Sequence, residues 1–228
     1  AALSGRDSKT MAQLFSMSIV NYSYNKAVKE KSQERLDACL AATQWLAPHL
    51  GLDNKDENIK TKSRFYAAIG DVTTFESLAE KHAEILFKEE QGVLERDQAA
   101  YRLFLEDMIN TPSDIAGTTP EQLAFTLQFA AGNEAPNLAF SFRDLAANVA
   151  KLSNNNALLN KAMLWAMEAI VLFDNFTNYE TLAEVLFKMG YKKEALFQME
   201  KAVNKMPAGN EAISKRIHDK LNHIKNNQ

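Results

Sequence analysis

Histidine and cysteine are the side chains best suited to metal binding or nucleophilic catalysis, and this sequence has few of them. The four histidines stand at positions 49, 82, 218 and 223. His218 and His223 are five residues apart, so they do not share a helix face as a metal-binding pair four residues apart does. His82, in EKHAEIL, has acidic neighbours, but we interpret it as a solvent-exposed helical histidine. We therefore predict no metal and no cofactor.

Cys39 is the only cysteine, which excludes an intrachain disulfide and a thiolate metal cluster. Its apolar surroundings in ERLDACLAATQWL predict a small buried residue rather than a reactive thiol. The sequence has no H-E-x-x-H helix, glycine-rich phosphate loop or G-x-S-x-G turn. These motifs are typical of common active sites. Adjacent carboxylates such as Glu89 and Glu90 point apart on a helix and indicate solvated surface. We predict no catalytic residues, although distant residues can assemble an active site.

Composition and charge argue against a nucleic-acid-binding protein and show no membrane-spanning segment. A chain of 228 residues with 46% hydrophobic side chains can bury a substantial core, as one large domain or two small ones. The net charge of -3 argues against nucleic-acid binding, which usually needs a strongly basic face. Acidic residues dominate 71–110 and basic residues 192–228. We interpret both as solvated helix faces, with a weak basic docking surface at the C-terminus as the alternative. No apolar run approaches the ~20 residues of a membrane span.

The spacing of apolar residues predicts an all-α protein. Apolar side chains recur three and four residues apart, and most of the 8 glycines and 5 prolines fall between such segments, whereas alternating strand patterns are hard to find. Ser32 is the predicted N-cap of the second helix, and Thr73 or Thr74 that of the fourth. Predicted helices span residues 7–30, 32–51, 57–69, 73–88, 91–110, 120–131, 135–152, 156–173, 177–189, 192–205 and 209–225.

The segment TPSDIAGTTP, residues 111–120, interrupts the helical pattern. Its Pro112, Gly117 and Pro120 cannot continue a helix. We predict a single helical domain over residues 1–228, with a subdivision into an N-terminal part (1–111) and a C-terminal part (118–228) as the alternative.

Residues 177–207 resemble a tetratricopeptide repeat. Three alanines fall where two helices cross closely, a glycine that can adopt the left-handed conformation ends the first helix, and a proline stops the second. The matching positions are Tyr179, Leu182, Ala183, Leu186, Gly190, Ala195, Met199, Ala202 and Pro207.

A second copy of the pattern precedes this one. Thirty-three residues before the three alanines stand Ala150, Ala162 and Ala169, while Asn155 and Asn156 replace the turn glycine. Because asparagine tolerates the left-handed conformation, we expect a similar turn there. A third, weaker copy covers residues 57–88. The resemblance implies antiparallel helical hairpins stacked as a tetratricopeptide-like right-handed superhelix of about 10 to 11 helices.

Residues 134–205 also resemble the helical region that follows the thioredoxin domain in thioredoxin-like proteins of Bacteroidetes-type bacteria. The segments KAMLWAMEAI and NYETLAEVLFKMGYKKEAL carry this resemblance. The chain differs from the full architecture of that family because it has no C-x-x-C pair. The resemblance implies a helical partner of a redox domain and a periplasmic or cell-envelope location; otherwise we expect a cytoplasmic one. Because the chain begins with Ala1, we expect a processed form or an excised fragment.

The tetratricopeptide resemblance also implies a concave groove lined by the first helices of successive repeats. Most aromatic residues of the segment, such as Phe142 and Trp165, are expected in the core, and a minority in this groove. The candidate groove residues are Asn137, Arg143, Asn148, Tyr179, Glu180 and Glu184. We expect a non-enzymatic module that binds a protein or peptide, with a thioredoxin-like domain as one candidate partner. The alternatives are an α-helical enzyme or small-ligand-binding domain with a pocket between helices, and a structural or dimerising module.

Overall fold

The computed structural model describes residues 18, 20–50, 54–110, 119, 132–207 and 209–227, and these form helices joined by short connections, with no strand among them. The predicted all-α class is confirmed. The helices are α1 (20–30), α2 (Gln33–Leu50), α3 (Asn54–Ile69), α4 (Val72–Glu90), α5 (Val93–Asn110), α6 (Glu134–Leu152), α7 (Asn156–Leu172), α8 (Phe176–Lys188), α9 (Lys192–Asn204) and α10 (Glu211–Asn226). The predicted helix start at residue 7, the break at 111–118 and the helix at 120–131 lie outside the described residues.

The chain divides into two compact units. The first comprises Ala1–Ile85 and Lys151–Asn154, and the second comprises Leu86–Ala150 and Asn155–Gln228. The division between them falls within α4 and again near the turn that follows α6. The subdivision at residues 111–118 stays a prediction.

Helices α1, α2 and α3 contribute one hydrophobic cluster to the core of the first unit. Ala27, Leu36, Leu40 and Phe65 form a buried cluster. Cys39 is completely buried, as predicted, and burial raises the pKa of its thiol, which keeps it protonated and unreactive. Ser32 caps α2, because its hydroxyl accepts a hydrogen bond from the Arg35 N–H at 3.3 Å.

Two glycines end first helices with the same backbone geometry. Gly70 and Gly190 adopt φ values of 78° and 87°. In each case the N–H of the residue after the glycine donates to a carbonyl of the last helical turn. The Asp71 N–H donates to the Tyr66 carbonyl at 3.0 Å, and the Tyr191 N–H donates to the Leu186 carbonyl at 2.9 Å. This six-to-one hydrogen bond defines the Schellman motif. The left-handed turn predicted at Gly190 is therefore confirmed, and Gly70 shares it.

Two predicted details of the helix ends are wrong. The N-cap of α4 is Asp71, whose carboxylate accepts from the Thr74 N–H at 3.1 Å, so the helix begins at Val72, before both predicted cap residues. Asn155 is not left-handed either: its φ is -76°. Its side chain instead accepts from the N–H groups of Ala157 and Leu158 at 3.0 and 3.3 Å. Asparagine thus caps the following helix rather than ending the preceding one.

The hairpin of α8 and α9 packs as predicted. The two helices are in close contact along their length, and Ala183, Ala195 and Ala202 are completely buried. Small side chains let the helices cross closely there. In the preceding hairpin Ala162 and Ala169 are equally buried, but Ala150 is only half-buried. The fully buried alanines of α6 lie earlier, at 139 and 146.

The second unit repeats one side-by-side arrangement of helices. The Arg143 side chain of α6 donates to the Thr177 hydroxyl of α8 at 3.2 Å. The Lys220 ammonium of α10 donates to the Glu180 carboxylate of α8 at 2.6 Å. Phe140 near the start of α6 meets Phe173 just after the end of α7, with ring centroids 5.8 Å apart. Thus α6, α8 and α10 are consecutive neighbours, and α10 takes the position of a next first helix.

Candidate partner-binding face

The six predicted groove residues lie on two neighbouring helices. Three are on α6 and three are on α8. Asn137 is exposed, Glu180 is buried with 4% of its surface accessible, and the other four are half-buried. The arrangement therefore brings the six residues to adjacent first helices of successive hairpins. Their side chains, however, have different surroundings.

Arg143 is the side chain of this set best placed to bind a partner. Its guanidinium lies 4.8 Å from the centre of the Phe140 ring. It donates to the Asp144 carboxylate at 2.6 and 3.0 Å and to the Thr177 hydroxyl at 3.2 Å. A guanidinium has five N–H donors, and about a quarter of this side chain is accessible. Arg143 is therefore fixed between α6 and α8 and keeps donor capacity on the accessible side.

Asn137 lies one turn from the start of α6, beside a cavity of about 450 Å³. The Arg96 side chain of α5 crosses this cavity and pairs with Glu134 at 2.7 Å. Ser141 also lines it, and its hydroxyl donates to the Asn137 carbonyl at 3.2 Å. The cavity is thus lined by apolar side chains (Val93 and Leu138), by neutral hydrogen-bonding groups, and by the charged groups of Arg96, Glu134 and Glu89.

Glu180 and Glu184 make ion pairs within the chain. Glu180 pairs with Arg216 and Lys220 of α10, and Lys220 also pairs with Glu184. Although burial opposes it, hydrogen bonding to both glutamates raises the pKa of Lys220. These carboxylates hold α10 against α8, a contact that was not predicted. Whether they also contact a partner stays a prediction.

Tyr179 has a different environment from Arg143. Its ring lies 5.5 Å from the Lys201 ammonium and 5.7 Å from the Lys205 ammonium. Burial and the neighbouring Asp174 carboxylate raise the pKa of the Tyr179 hydroxyl, while the hydrogen bond from Lys205 lowers the pKa of Asp174. Tyr179 therefore faces Lys201 of α9 and Lys205, which directly follows that helix.

Buried polar side chains are the structural feature that the sequence pattern missed. Asn178 is completely buried, and its amide donates to the carbonyls of Ala169 and Phe173 at 2.8 and 2.7 Å. This bond satisfies the C-terminal end of α7, where no glycine is present. The sequence did offer one signal for this contact, namely an asparagine among the apolar residues of the α8 face.

His82 contradicts its predicted exposure. It is buried with 3% of its surface accessible, and neither ring nitrogen has a hydrogen-bond partner among the residues that the structure describes. Burial, with the nearby cations Arg64 and Lys60, lowers its pKa to about 3. The histidine is therefore neutral near pH 7 and belongs to the packed interior of the first unit.

Among the described residues, no group of three or more His, Cys, Asp or Glu side chains is arranged to hold a metal ion. Within the same residues, no helix combines the length and the apolar character needed to cross a bilayer.

Comparison with known proteins yields one structural similarity. No protein-family model matches the chain, and no curated protein matches it. The crystal structure of TTC0263, a thermophilic TPR protein in Thermus thermophilus, aligns over 90% of this chain and 98% of its own at 18% identity, with a TM-score of 0.33. A TM-score this low does not establish a shared fold. The class defined by the helix contacts is an all-α protein of stacked antiparallel hairpins.

Proposed function

We propose that this protein is a non-enzymatic helical repeat module that binds a protein or peptide along the face shared by α6 and α8. The support is the position of Arg143 between these two helices, with Phe140 beneath its guanidinium and Thr177 beside it. An arginine held in place over an aromatic ring offers planar hydrogen-bond donors to a carboxylate or a backbone carbonyl at low entropic cost. Such fixed arginines are frequent hot spots of protein interfaces.

The chemistry of this face favours an extended peptide with an acceptor group opposite Arg143. Asn137 and Asn148 are six and five residues from Arg143 on α6, which places them about 120° and 140° around the helix from it. The acceptor group of the peptide therefore pairs with Arg143 rather than with these two amides. Arg143 then supplies the charge selectivity.

Selection from a random peptide library displayed on phage tests this proposal. We expect enriched peptides that bind the purified chain and lose about ten-fold or more in affinity when Arg143 is replaced by alanine, since a charged hydrogen bond contributes about 1.5–3 kcal/mol. Lys193→Ala, an exposed residue on α9, is the matched control and should change nothing. Selected peptides that bind Arg143→Ala and the parent chain equally would place the binding face elsewhere.

We further propose a thioredoxin-like domain as a partner of this module. The support is the resemblance of residues 134–205 to the helical region of thioredoxin-like proteins, together with the absence of a C-x-x-C pair from this chain. Titration of a purified thioredoxin-like domain into the chain by calorimetry tests this narrower proposal. We expect saturable binding that Arg143→Ala weakens. If such a domain gives no heat of binding while peptides still bind at the same face, the thioredoxin-like partner is ruled out and the peptide-binding module remains the proposed function.

A further inference from the structure

The solvent-facing side of α7 changes character along its length. Asn160 and Lys161 lie on this side in the first half of the helix and are exposed. In the second half, at the same helical spacing, three large apolar side chains are exposed: Leu164 by 56%, Met167 by 48% and Val171 by 66%. We call these three residues the α7 stripe. The opposite side of the helix, with Ala162, Trp165 and Ala169, is buried.

An exposed apolar stripe of this kind is unusual on a helix that already packs well. Single exposed apolar residues are common on protein surfaces. Three of them at spacings of three and four residues, however, form one continuous strip. Amphipathic helices bind partners through this spacing. The α7 stripe is therefore a surface suited to a second helix.

A pair of carboxylates gives negative charge to the half of this surface that carries the α7 stripe. Glu168 lies beside the α7 stripe, four residues after Leu164 and on the same side of the helix, and the Glu90 carboxylate at the end of α4 is near it. Burial and the Glu90 carboxylate raise the pKa of Glu168. Among the described residues, neither carboxylate forms an ion pair with a lysine, arginine or histidine. A cation brought by a partner would relieve the repulsion between the two carboxylates.

The same carboxylates disfavour a second copy of this chain as the occupant. A symmetric dimer places the same patch of both subunits in contact. Packing stripe on stripe would bring Glu90 and Glu168 of each copy toward those of the other. Like charges in such a contact are destabilising. The charge of the surface thus selects a partner of opposite sign.

We propose that the α7 stripe is a second interaction surface, which binds an amphipathic helix of a partner protein with apolar residues against Leu164, Met167 and Val171 and a lysine or arginine against Glu168 and Glu90. The stripe lies on α7, which carries none of the residues of the α6–α8 face. The two proposals therefore succeed or fail separately.

A designed peptide pair tests the inference. The probe is a fluorescein-labelled helical peptide with leucines at positions i, i+3 and i+7 of one face and a lysine at i+4; its counterpart has glutamate at i+4. Fluorescence anisotropy against the full chain should show saturable binding of the lysine peptide, about ten-fold tighter than that of the glutamate peptide, the difference expected for one partly buried ion pair. Glu168→Gln should reduce this preference.

Three substitutions locate the binding surface. Leu164→Asp should abolish binding of the lysine peptide, whereas Leu103→Asp, which alters an equally exposed leucine of α5, should leave it unchanged. Arg143→Ala should also leave it unchanged, which separates this surface from the α6–α8 face. Circular dichroism establishes that each variant is folded.

Three results would overturn the inference. The first is no binding of either peptide, and the second is equal binding of both. The third is a dimer of the unmodified chain in sedimentation that Leu164→Asp dissociates, since that result would make a second copy the occupant of the stripe.

Discussion

At the residue scale, a buried histidine makes the stability of the first unit depend on pH. His82 is held neutral in the interior of the first unit, with the cations Arg64 and Lys60 nearby. Lys60 itself is buried and pairs with Glu57 at 2.5 Å. Protonation of His82 would add a third positive charge where two already stand, without a hydrogen-bond acceptor among the described residues to receive the proton. Acid should therefore destabilise this unit.

The sign of the pH effect follows from the lowered pKa of His82. Unfolded histidine binds a proton below about pH 6.5, whereas folded His82 stays neutral down to about pH 3. The unfolded state then binds more protons between these values, so the free energy of unfolding falls as the pH falls. His82 should contribute a loss of about 1.4 kcal/mol per pH unit well below pH 6.5. Urea unfolding at pH 7 and pH 5 measures this loss in the free energy of unfolding.

Replacement of His82 by leucine provides the comparison. Its free energy of unfolding should change less between pH 7 and pH 5 than that of the parent chain, by about 2 kcal/mol. His218→Gln, which alters an exposed histidine, should keep the parent's pH dependence. An identical pH dependence in the parent and in His82→Leu would mean that the histidine is not buried as described.

Asn178 carries a second prediction at this scale. Its amide satisfies two carbonyl groups at the end of α7, and Asn178→Ala leaves both without this donor. We expect a loss of about 1–3 kcal/mol in the free energy of unfolding. Asn160→Ala, at an exposed position of α7, should lose far less. Equal losses in the two variants would contradict the capping role.

At the element scale, close helix crossings depend on small side chains. Ala195 is completely buried where α8 and α9 cross. Ala195→Leu adds three carbon atoms to this contact and should cost about 1–3 kcal/mol through overpacking. Thermal unfolding by circular dichroism measures the change, with Ala157→Leu, at an exposed position of α7, as control. An unchanged melting temperature for Ala195→Leu would contradict a close crossing at this point.

The predictability of these elements depended on how local their signals are. Helix type, the Gly190 turn and the buried alanines of α8 and α9 were predicted, because apolar spacing and glycine act within a few residues. The cap of α4 was assigned to Thr73 or Thr74 instead of Asp71, since several polar residues compete for that position. Asn155 was predicted to form a left-handed turn, whereas it caps α7. The cap of α6 was not predicted: Asp97 of α5 accepts from the Glu134 and Ala135 N–H groups at 3.2 and 2.9 Å. Such a contact between distant residues leaves no local pattern.

The candidate site was predictable only in part for the same reason. The resemblance placed six residues on first helices, and these helices are indeed neighbours. It could not distinguish Arg143, which keeps donor capacity toward solvent, from Glu180, which is buried beneath α10. That difference depends on which residues of α10 pack against α8, thirty-six and forty residues later in the chain.

At the scale of the whole molecule, the functional proposals depend on α6, α8 and α10 lying side by side in the second unit. Polar contacts define both junctions: Arg143 with Thr177 on one side of α8, and Glu180 and Glu184 with Arg216 and Lys220 on the other. Ile217, Leu221 and Ile224 of α10 are buried, so apolar packing accompanies the ion pairs. A partner-binding face between first helices exists only if this stacking is present.

Site-directed cross-linking between α8 and α10 tests this stacking most directly. In a Cys39→Ala background, Glu184→Cys combined with Lys220→Cys should cross-link rapidly with a short bifunctional maleimide in the native chain and slowly in urea. The control combines Glu184→Cys with Lys215→Cys, since position 215 lies about 140° around the helix from position 220. Rapid cross-linking of 184 with 220 alone is the predicted result. Equal rates for the two pairs, or none for 184 with 220, would contradict the stacked arrangement.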